Sequence, residues 1–408
     1  MYPRHIEPEL RAALADTPVV LLTGARQTGK TTLARALARE SGMAYATLDD
    51  ALAASAAEAD PMGFLAGLGA SAVIDEVQKA PGLFPAIKRL VDEDRRPGRF
   101  LLTGSTHALL LPRLSESLAG RMEIVTLWPL SQGELSNHRE AFIDHLFEGG
   151  PLNAAGGEPA DLPERLAAGG YPEPLERPPG KRREAWFEAY VTTILQRDIR
   201  ELSRIEGLAE LPRLLGLLAA RTANLLNMSE LSRASGLPQS TLKRYLGLLE
   251  ATFLVQKLPA WSSNLGKRLV KSPKIHLVDS GLALHLAGLT AEHLAANPGL
   301  LGPFLETWVV GELRKQAGWA DHRVRLHHYR TATGREVDIV LEDREGNIVG
   351  IEVKASATAT RKDFAGLESL AEAAGRHFRR GVLLYRGRET VPVTPRLSAV
   401  PLSALWQT

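Results

Sequence analysis

The stretch Val19-Val-Leu-Leu-Thr23-Gly24-Ala-Arg-Gln-Thr-Gly29-Lys30-Thr31-Thr32 decides the fold of the amino-terminal part of the chain. It begins with an apolar run typical of a buried strand and continues into Leu33–Arg39, a strong helix former. The segment between them fits G-x-x-x-x-G-K-[ST]. Glycines let backbone N–H groups wrap an anion, and a helix N-terminus adds partial positive charge. The stretch therefore predicts a phosphate-binding loop.

The loop residues have expected roles in binding ATP. Lys30 would reach the β- and γ-phosphates, and the hydroxyl of Thr31 would bind Mg²⁺. The bare pattern also occurs in ordinary strand–turn–helix segments, but the flanking strand and helix favour the nucleotide loop. The residues expected to contact the nucleotide are Gly24, Ala25, Arg26, Gln27, Thr28, Gly29, Lys30, Thr31 and Thr32.

Two carboxylates end the apolar run Val73-Ile-Asp75-Glu76. Asp75 would hold Mg²⁺ through water, while Glu76 would orient the attacking water and accept its proton. Such a pair predicts hydrolysis of ATP rather than binding alone. In the alternative, Glu76 only caps the helix that follows.

Two more residues are candidates for catalysis. Thr103 ends a third apolar run and is predicted to sense the γ-phosphate beside Asp75; an ordinary strand end is the alternative. Arg121 would stabilise transition-state charge, in its own chain or across subunits of a homo-oligomer. A solvated or structural role for Arg121 fits the sequence equally well.

Short apolar runs alternate with helical patterns through residues 1–135. This alternation predicts a mostly parallel sheet with helices between its strands, so the fold class is α/β. The predicted strands are Val19–Thr23, Met43–Leu48, Ala72–Asp75, Arg99–Thr103 and Glu123–Leu127.

Composition limits the other possibilities. The 408 residues are 44% apolar and 24% charged, with a net charge of +2, which predicts several folded domains and no overall polyanion binder. The chain has no cysteine, which excludes disulfides and thiolate catalysis. Because neither a signal segment nor a membrane-spanning run is evident, we expect a cytoplasmic protein.

Residues Met228–Glu250 have the pattern of a helix–turn–helix, with Gly236 at the turn and Gln239 or Ser240 beginning the second helix. The apolar stripe of that helix is Leu242, Leu246 and Leu249. Phe253–Val255 and Lys274–Val278 are predicted to be strands of a wing.

Basic residues dominate this region, which suggests contact with DNA. Winged helices also dock proteins, so both roles stay open. The nine basic residues, against Glu230 and Glu250, give a local charge of +7: Arg221, Arg233, Lys243, Arg244, Lys257, Lys267, Arg268, Lys271 and Lys274.

Two strands near the carboxyl terminus predict a hairpin with the loop Arg344-Glu-Gly346. Pairing Asp343 with Asn347 places Asp338 opposite Glu352 and Glu336 opposite Lys354, with all four side chains on one face. A last strand is predicted near Gly381–Tyr385.

Asp338, Glu352 and Lys354 on one sheet face could hold Mg²⁺ for phosphodiester cleavage. Glu306 or Glu312, from the preceding helix, could add a ligand. A solvated polar face balanced by ion pairs is an equal alternative.

Together these motifs resemble a family of prokaryotic AAA-type ATPases with an uncharacterised carboxy-terminal domain. The motifs that carry the resemblance cover most of the chain: Leu22–Leu33, Ile74–Gln78, Phe100–Thr106, Ser117–Arg121, Gly169–Glu173, Gln196–Asp198, Lys271–Leu282, Glu336–Asp338 and Glu352–Lys354. The resemblance implies an ATPase core, a winged helix and a domain similar to PD-(D/E)xK nucleases, many of which are inactive scaffolds.

We therefore expect an ATPase domain at 1–135, a helical connector at 136–205, a winged helix at 206–285 and a nuclease-like domain at 286–408. The leading hypothesis is a Mg²⁺-dependent ATPase that acts on DNA or on a DNA-associated partner. The alternative is a nucleotide-switched regulator whose nuclease-like domain is inactive.

Overall fold

The computed structural model describes residues 2–105, 118–150, 152, 161–202 and 208–408. They form two compact units. The amino-terminal unit comprises Arg4–Pro129 with Glu250–Phe253, and the carboxy-terminal unit comprises Leu130–Leu249 with Leu254–Thr408. The predicted domain boundaries at 135, 205 and 285 stay predictions.

A parallel sheet forms the centre of the amino-terminal unit, in the strand order β2-β3-β4-β1-β5. All the strands predicted there are confirmed to within two residues. They are β1 (Val19–Thr23), β2 (Ala44–Thr47), β3 (Ala72–Asp75), β4 (Phe100–Gly104) and β5 (Met122–Thr126). The helices of this unit are Glu7–Asp16, Lys30–Ser41, Ala51–Ala59, Pro61–Gly67 and Leu83–Glu93.

Strands β1, β3 and β4 are buried along their whole length, as expected for a parallel sheet covered on both faces. β4 lies between β1 and β3, and the three strands run in the same direction. Their carboxyl ends therefore meet at one edge of the sheet, which is the edge where open α/β folds bind ligands.

Helices dominate the first part of the carboxy-terminal unit. They are Gln132–Ser136, Phe142–Glu148, Leu162–Ala168, Pro172–Glu176, Lys181–Thr193, Ile199–Leu202, Leu211–Ala219, Met228–Ser235, Gln239–Ala251, Leu265–Val270, Ser280–Leu286, Ala291–Ala296 and Leu301–Gln316. A π-helical turn at Ile194–Asp198 interrupts the predicted helical stretch.

The predicted helix–turn–helix elements lie where expected. Asn227 caps the first helix, and Gly236 ends it with a left-handed φ of 77°. The predicted stripe Leu242, Leu246 and Leu249 is fully buried. The first wing strand was predicted at Phe253–Val255 but lies later in the chain, as β6 (Val255–Leu258), because Phe253 takes a left-handed φ of 57°. β6 pairs antiparallel with β7 (Lys274–Leu277). The winged-helix assignment and the DNA-binding role stay predictions.

A mixed sheet follows, in the order β12-β13-β11-β10-β9-β8, with helix Ala365–Ala374 packed on it. Its strands are β8 (Val324–Arg330), β9 (Glu336–Asp343), β10 (Ile348–Lys354), β11 (Phe378–Tyr385), β12 (Val391–Thr394) and β13 (Leu397–Pro401); helix Ala404–Gln407 ends the chain. The parallel sheet, helical middle and mixed sheet confirm the predicted multidomain α/β class.

The prediction that β11 is the last strand was wrong, because β12 and β13 follow it. Pro392 lies within β12, and a proline argues against a central strand. β12 is at the edge of the sheet, where a missing backbone donor is tolerated.

The predicted register of the β9–β10 hairpin is confirmed. Ile339 pairs with Ile351 and Glu342 with Ile348, and Asp343 N–H donates to the carbonyl of Asn347. Gly346 takes the left-handed conformation, with φ of 81°. In the part of the chain that the structure describes, no helix is long and apolar enough to span a membrane.

Candidate functional site

The loop between β1 and helix Lys30–Ser41 has the backbone that the motif predicted. A Cβ added at Gly24 would lie 2.1 Å from the carbonyl oxygen of Leu127, so only glycine fits this position. Gly29 has φ of 95° and immediately precedes the helix. It offers no side-chain acceptor to the first helical amides, so their N–H groups are available to an anion.

The side chain of Lys30 is buried inside the curve of this loop. Its ammonium donates to the carbonyl oxygens of Gly24 and Ala25, at 2.9 and 2.7 Å. The charge is therefore held next to the helical amides, in the position that binding a phosphate requires.

Asp75 lies at the centre of a ring of hydroxyl groups. Its carboxylate accepts hydrogen bonds from Thr31 at 3.1 Å, Tyr45 at 3.0 Å, Thr47 at 3.3 Å and Thr103 at 2.5 Å. The ring links the phosphate-binding loop to β2, β3 and β4, and it brings Thr31 and Asp75 together as predicted.

The donors at this point fit Mg²⁺, which prefers carboxylate and hydroxyl oxygen ligands together with substrate phosphates. Thr31 and Asp75 supply two such groups beside the ammonium of Lys30. A bound Mg²⁺ would offset phosphate charge and would replace the direct hydrogen bond between the two side chains.

Glu76 follows Asp75 in a left-handed conformation, with φ of 57°. Its N–H donates to the Thr103 hydroxyl at 3.0 Å, while its carboxylate accepts from Gln78 and, at 3.4 Å, from Ser105. It makes no capping hydrogen bond, so the alternative of a simple helix cap does not describe it.

Thr103 lies beside Asp75, as predicted, but its hydroxyl is fully committed. It gives its single proton to Asp75 and accepts the Glu76 N–H. A hydroxyl has only one proton to donate. In this arrangement Thr103 positions the two acids, and sensing the γ-phosphate stays a prediction.

The structure corrects the expectation that Arg121 acts within its own chain. Arg121 directly precedes β5, and its carbonyl accepts the N–H of Val19, the first residue of β1. The phosphate-binding loop follows the carboxyl end of β1. Arg121 therefore lies at the amino-terminal ends of the strands, on the side of the sheet away from that loop. Its guanidinium pairs with Asp92 at 2.5 Å, which also lowers the pKa of that carboxyl.

Sequence reasoning missed Arg4, whose guanidinium donates to the carbonyl oxygens of Thr28 and Trp128, both at 2.6 Å. No local motif marks it. It also missed Tyr45 and Thr47, although alternate residues of a strand share one face and could have identified them. Burial is the main reason that the pKa of Tyr45 is raised.

The carboxy-terminal candidates are brought together only in part. Asp338, Glu352 and Glu306 meet at one place, where burial raises the pKa values of Glu306 and Glu352. Lys354 instead pairs with Asp363. The expected opposition of Glu336 and Lys354 does not form, because the Asp338 side chain takes the Val353 N–H and the ladder ends at Ile339.

Glu312 also lies elsewhere. It accepts from the backbone N–H of Gln132 and pairs with Lys315 at 2.6 Å. Glu306 and Glu312 are six residues apart, which turns their side chains to different faces of an α-helix.

The local charge of +7 overestimates the basic face of the middle region. Lys274 is buried among carboxylates, and Arg268 forms two hydrogen bonds to Glu342. The acids that meet Lys274 and Arg268 lie far along the chain, so a local count missed them.

Comparison with known families places three matches along the chain. Residues 16–136 match the family described as AAA domain. Residues 159–293 match Domain of unknown function (DUF8612), and residues 301–405 match Domain of unknown function (DUF4143).

Solved structures of low similarity include the Walker-type ATPase PABY2304 of Pyrococcus abyssi, 16% identical, with a TM-score of 0.45 over 70% of this chain and 96% of that one. AMPPCP-bound DnaA from Aquifex aeolicus is 14% identical, with a TM-score of 0.29 over 60% of this chain and 85% of that one.

Two relatives align along nearly the whole chain. They are the uncharacterized proteins Rv2008c of Mycobacterium tuberculosis and Mb2031c of Mycobacterium bovis. Each is 33% identical over 407 residues, which is 99% of this chain and 85% of the relative. The chain therefore belongs to the family of these two mycobacterial proteins, and its amino-terminal unit is a P-loop domain of the AAA type.

Proposed function

We propose that this protein binds ATP with Mg²⁺ and hydrolyses it. The observation that carries the proposal is the set of hydrogen bonds from Thr31 and Thr103 to Asp75. This set joins the start of the loop helix to β3, which ends at Asp75, and to β4, which carries Thr103.

Each side chain has a role that follows from its position. The helical amides and Lys30 bind the phosphates, and Thr31 and Asp75 hold Mg²⁺. Glu76 accepts the proton of the attacking water, while Gln78 and Ser105 hold its carboxylate in place. Thr103 holds the Asp75 carboxylate and accepts the backbone N–H of Glu76.

Titration of the protein with a fluorescent ATP analogue tests binding. We expect saturable binding that requires Mg²⁺ and that Lys30→Ala weakens at least ~10-fold. Lys88→Ala, a change on helix Leu83–Glu93 of the same unit, is the matched control and should bind normally. Equal binding by the Lys30→Ala variant would overturn the role given to the loop.

We further propose that ATP hydrolysis is coupled to the binding of DNA. It is supported by Lys243 and Arg244, which are exposed on the second helix of the helix–turn–helix. Two such cations can neutralise about two phosphates, which would make binding to DNA sensitive to salt.

Fluorescence anisotropy with duplex DNA at several salt concentrations tests this part. Replacing both Lys243 and Arg244 by Gln should weaken binding and reduce the slope of log K against log salt by about 2. The matched control replaces Lys181 and Arg182, also exposed, by Gln. An unchanged slope would favour a docking surface for protein instead.

Arg121 enters the proposal only through a homo-oligomer. Since it lies at the opposite edge of its own sheet, it reaches a nucleotide only in a neighbouring copy. Mixing Arg121→Ala with Glu76→Gln protein tests this, because mixed assemblies would regain activity that neither variant has alone. No recovery in an assembled mixture would remove Arg121 from catalysis.

A further inference from the structure

The side chain of Lys274, the first residue of β7, is buried among acids from other elements. Its Nζ lies 2.8 Å from Glu306 Oε1, 2.7 Å from Glu336 Oε1 and 3.0 Å from Asp338 Oδ1. Its ammonium donates hydrogen bonds to Glu306 and Asp338, and its charge is also paired with that of Glu336. Lys274, Glu306, Glu336, Asp338 and Glu352 are called the Lys274 cluster below.

Glu352 completes the cluster but receives no hydrogen bond at Oε2, which is buried. Burial, and then the nearby charge of Asp338, raise its pKa. Glu336 also pairs with Arg330 at 2.9 Å. Four carboxyl groups thus face two cations, so the ionised cluster carries an excess of negative charge.

A cluster of this kind is where the resemblance to PD-(D/E)xK nucleases implies a metal ion. The residues do not fit that ion, because the ammonium of Lys274 lies among the oxygens that would bind it. Mg²⁺ needs oxygen ligands at about 2.1 Å in a near-octahedral arrangement. Among the described residues, no three His, Cys, Asp or Glu side chains are placed to hold a metal.

The lysine expected from the motif is also engaged elsewhere. Lys354 pairs with Asp363, which in turn accepts from the N–H and hydroxyl of Thr360. The amine that meets the acids therefore comes from Lys274, which lies far from them in sequence.

We propose that Lys274 is the permanent counter-ion of this cluster and excludes divalent metals from it. The ion pairs of the cluster then hold β7, helix Leu301–Gln316 and β9 together. The cluster does not cleave phosphodiesters. A buried charge is stable only when it is paired and hydrogen-bonded, which Lys274 achieves through its three partners. This inference is independent of the proposed nucleotide site.

Isothermal titration of the nucleotide-free, full-length protein with Mn²⁺ tests the proposal. The native protein and the Glu352→Gln variant should give the same isotherm, because Glu352 binds no metal in the native protein. Glu352 is the mildest acid to change, since its Oε2 has no partner to lose. Loss of a Mn²⁺ site in Glu352→Gln would overturn the proposal.

The second measurement removes the ammonium. Lys274→Met keeps most of the side-chain volume and should gain one Mn²⁺ site, at least ~10-fold tighter than any in the native protein. Adding Glu352→Gln to that variant should weaken the new site. Lys271→Met is the matched control, at an exposed lysine whose ammonium donates to the Arg330 carbonyl.

A folded Lys274→Met variant that gains no Mn²⁺ site would contradict the proposal. If the variant does not fold, native protein decides the matter through DNA cleavage with Mn²⁺. We expect no cleavage, and cleavage abolished by Glu352→Gln would overturn the assignment.

Discussion

The hydroxyl of Thr103 lies 2.5 Å from Oδ1 of Asp75 and also accepts the N–H of Glu76. One side chain on β4 thus contacts both the Asp75 carboxylate at the end of β3 and the backbone of Glu76, the next residue. Because β4 lies between β1 and β3, this threonine is also placed beside the strand that leads into the phosphate-binding loop.

Replacing Thr103 by Val keeps its shape but removes both hydrogen bonds. The buried Asp75 oxygen and the half-buried Glu76 N–H then lose a partner, which costs about 1–3 kcal/mol of stability. We expect ATP hydrolysis to fall about 10- to 100-fold while ATP binding remains. Thermal unfolding and phosphate release check this, with Thr47→Val, a longer 3.3 Å contact, as the control. Equal losses in both variants would contradict a special role for Thr103.

Glu76→Gln should bind ATP normally and hydrolyse it slowly. An amide accepts no proton from water, and general-base catalysis contributes typically 10²- to 10⁴-fold. Single-turnover hydrolysis of radiolabelled ATP measures the effect. Glu123→Gln, at an exposed position on β5, should hydrolyse at the native rate. Native turnover by Glu76→Gln would remove Glu76 from its role.

Arg4→Ala should weaken ATP binding about 10-fold. Arg4 holds the Thr28 carbonyl next to Gly29, and the freed loop would lose part of its preorganisation. Titration with an ATP analogue measures the change. Arg11→Ala removes an exposed arginine that pairs with Glu7 on the same amino-terminal segment, and its affinity should stay native. An unaltered affinity for Arg4→Ala would show that the loop needs no such support.

Two buried histidines predict acid sensitivity of the carboxy-terminal unit. Burial lowers the pKa values of His327 and His328 to about 4. The unfolded chain, with pKa near 6.5, therefore binds more protons between pH 6.5 and 4, so this contribution to stability is complete above pH 6.5 and falls as the pH drops toward 4. Each histidine accounts for about 2 kcal/mol at pH 5.

Urea unfolding at pH 7 and pH 5 measures this effect. Buried acids with raised pKa values, such as Glu306, act in the opposite direction, so a variant must isolate the histidines. Replacing His327 and His328 by Gln should reduce the loss of stability between the two pH values. An identical pH dependence in both proteins would contradict the assignment.

The sequence predicted features that depend on short-range patterns. The loop motif, the strands of the first sheet and the turn at Gly236 follow from local residue preferences and are confirmed. The β9–β10 register followed from the length of a three-residue loop. These predictions succeeded because neighbouring residues determine the geometry.

Long-range pairing was not predictable in the same way. Lys274 meets Glu306 and Asp338, and Arg4 meets Thr28, across large distances in the chain. Arg121 was misplaced although the predicted parallel strand Glu123–Leu127, which follows it, already put it at the end of the sheet away from the phosphate-binding loop. Strands β12 and β13 were not predicted because each contains a proline. Whether a strand tolerates a proline depends on the position of that strand in the sheet.

Steady-state phosphate release by purified protein with ATP and Mg²⁺ tests the central claim most directly. We predict turnover that Lys30→Ala abolishes, since that change removes the ammonium from the loop. Typical enzymes turn over about 10 times per second, whereas a nucleotide-switched regulator would hydrolyse fewer than about one ATP per minute. Phosphate release that is equal in the native and Lys30→Ala proteins, or absent from both, would contradict the proposed ATPase.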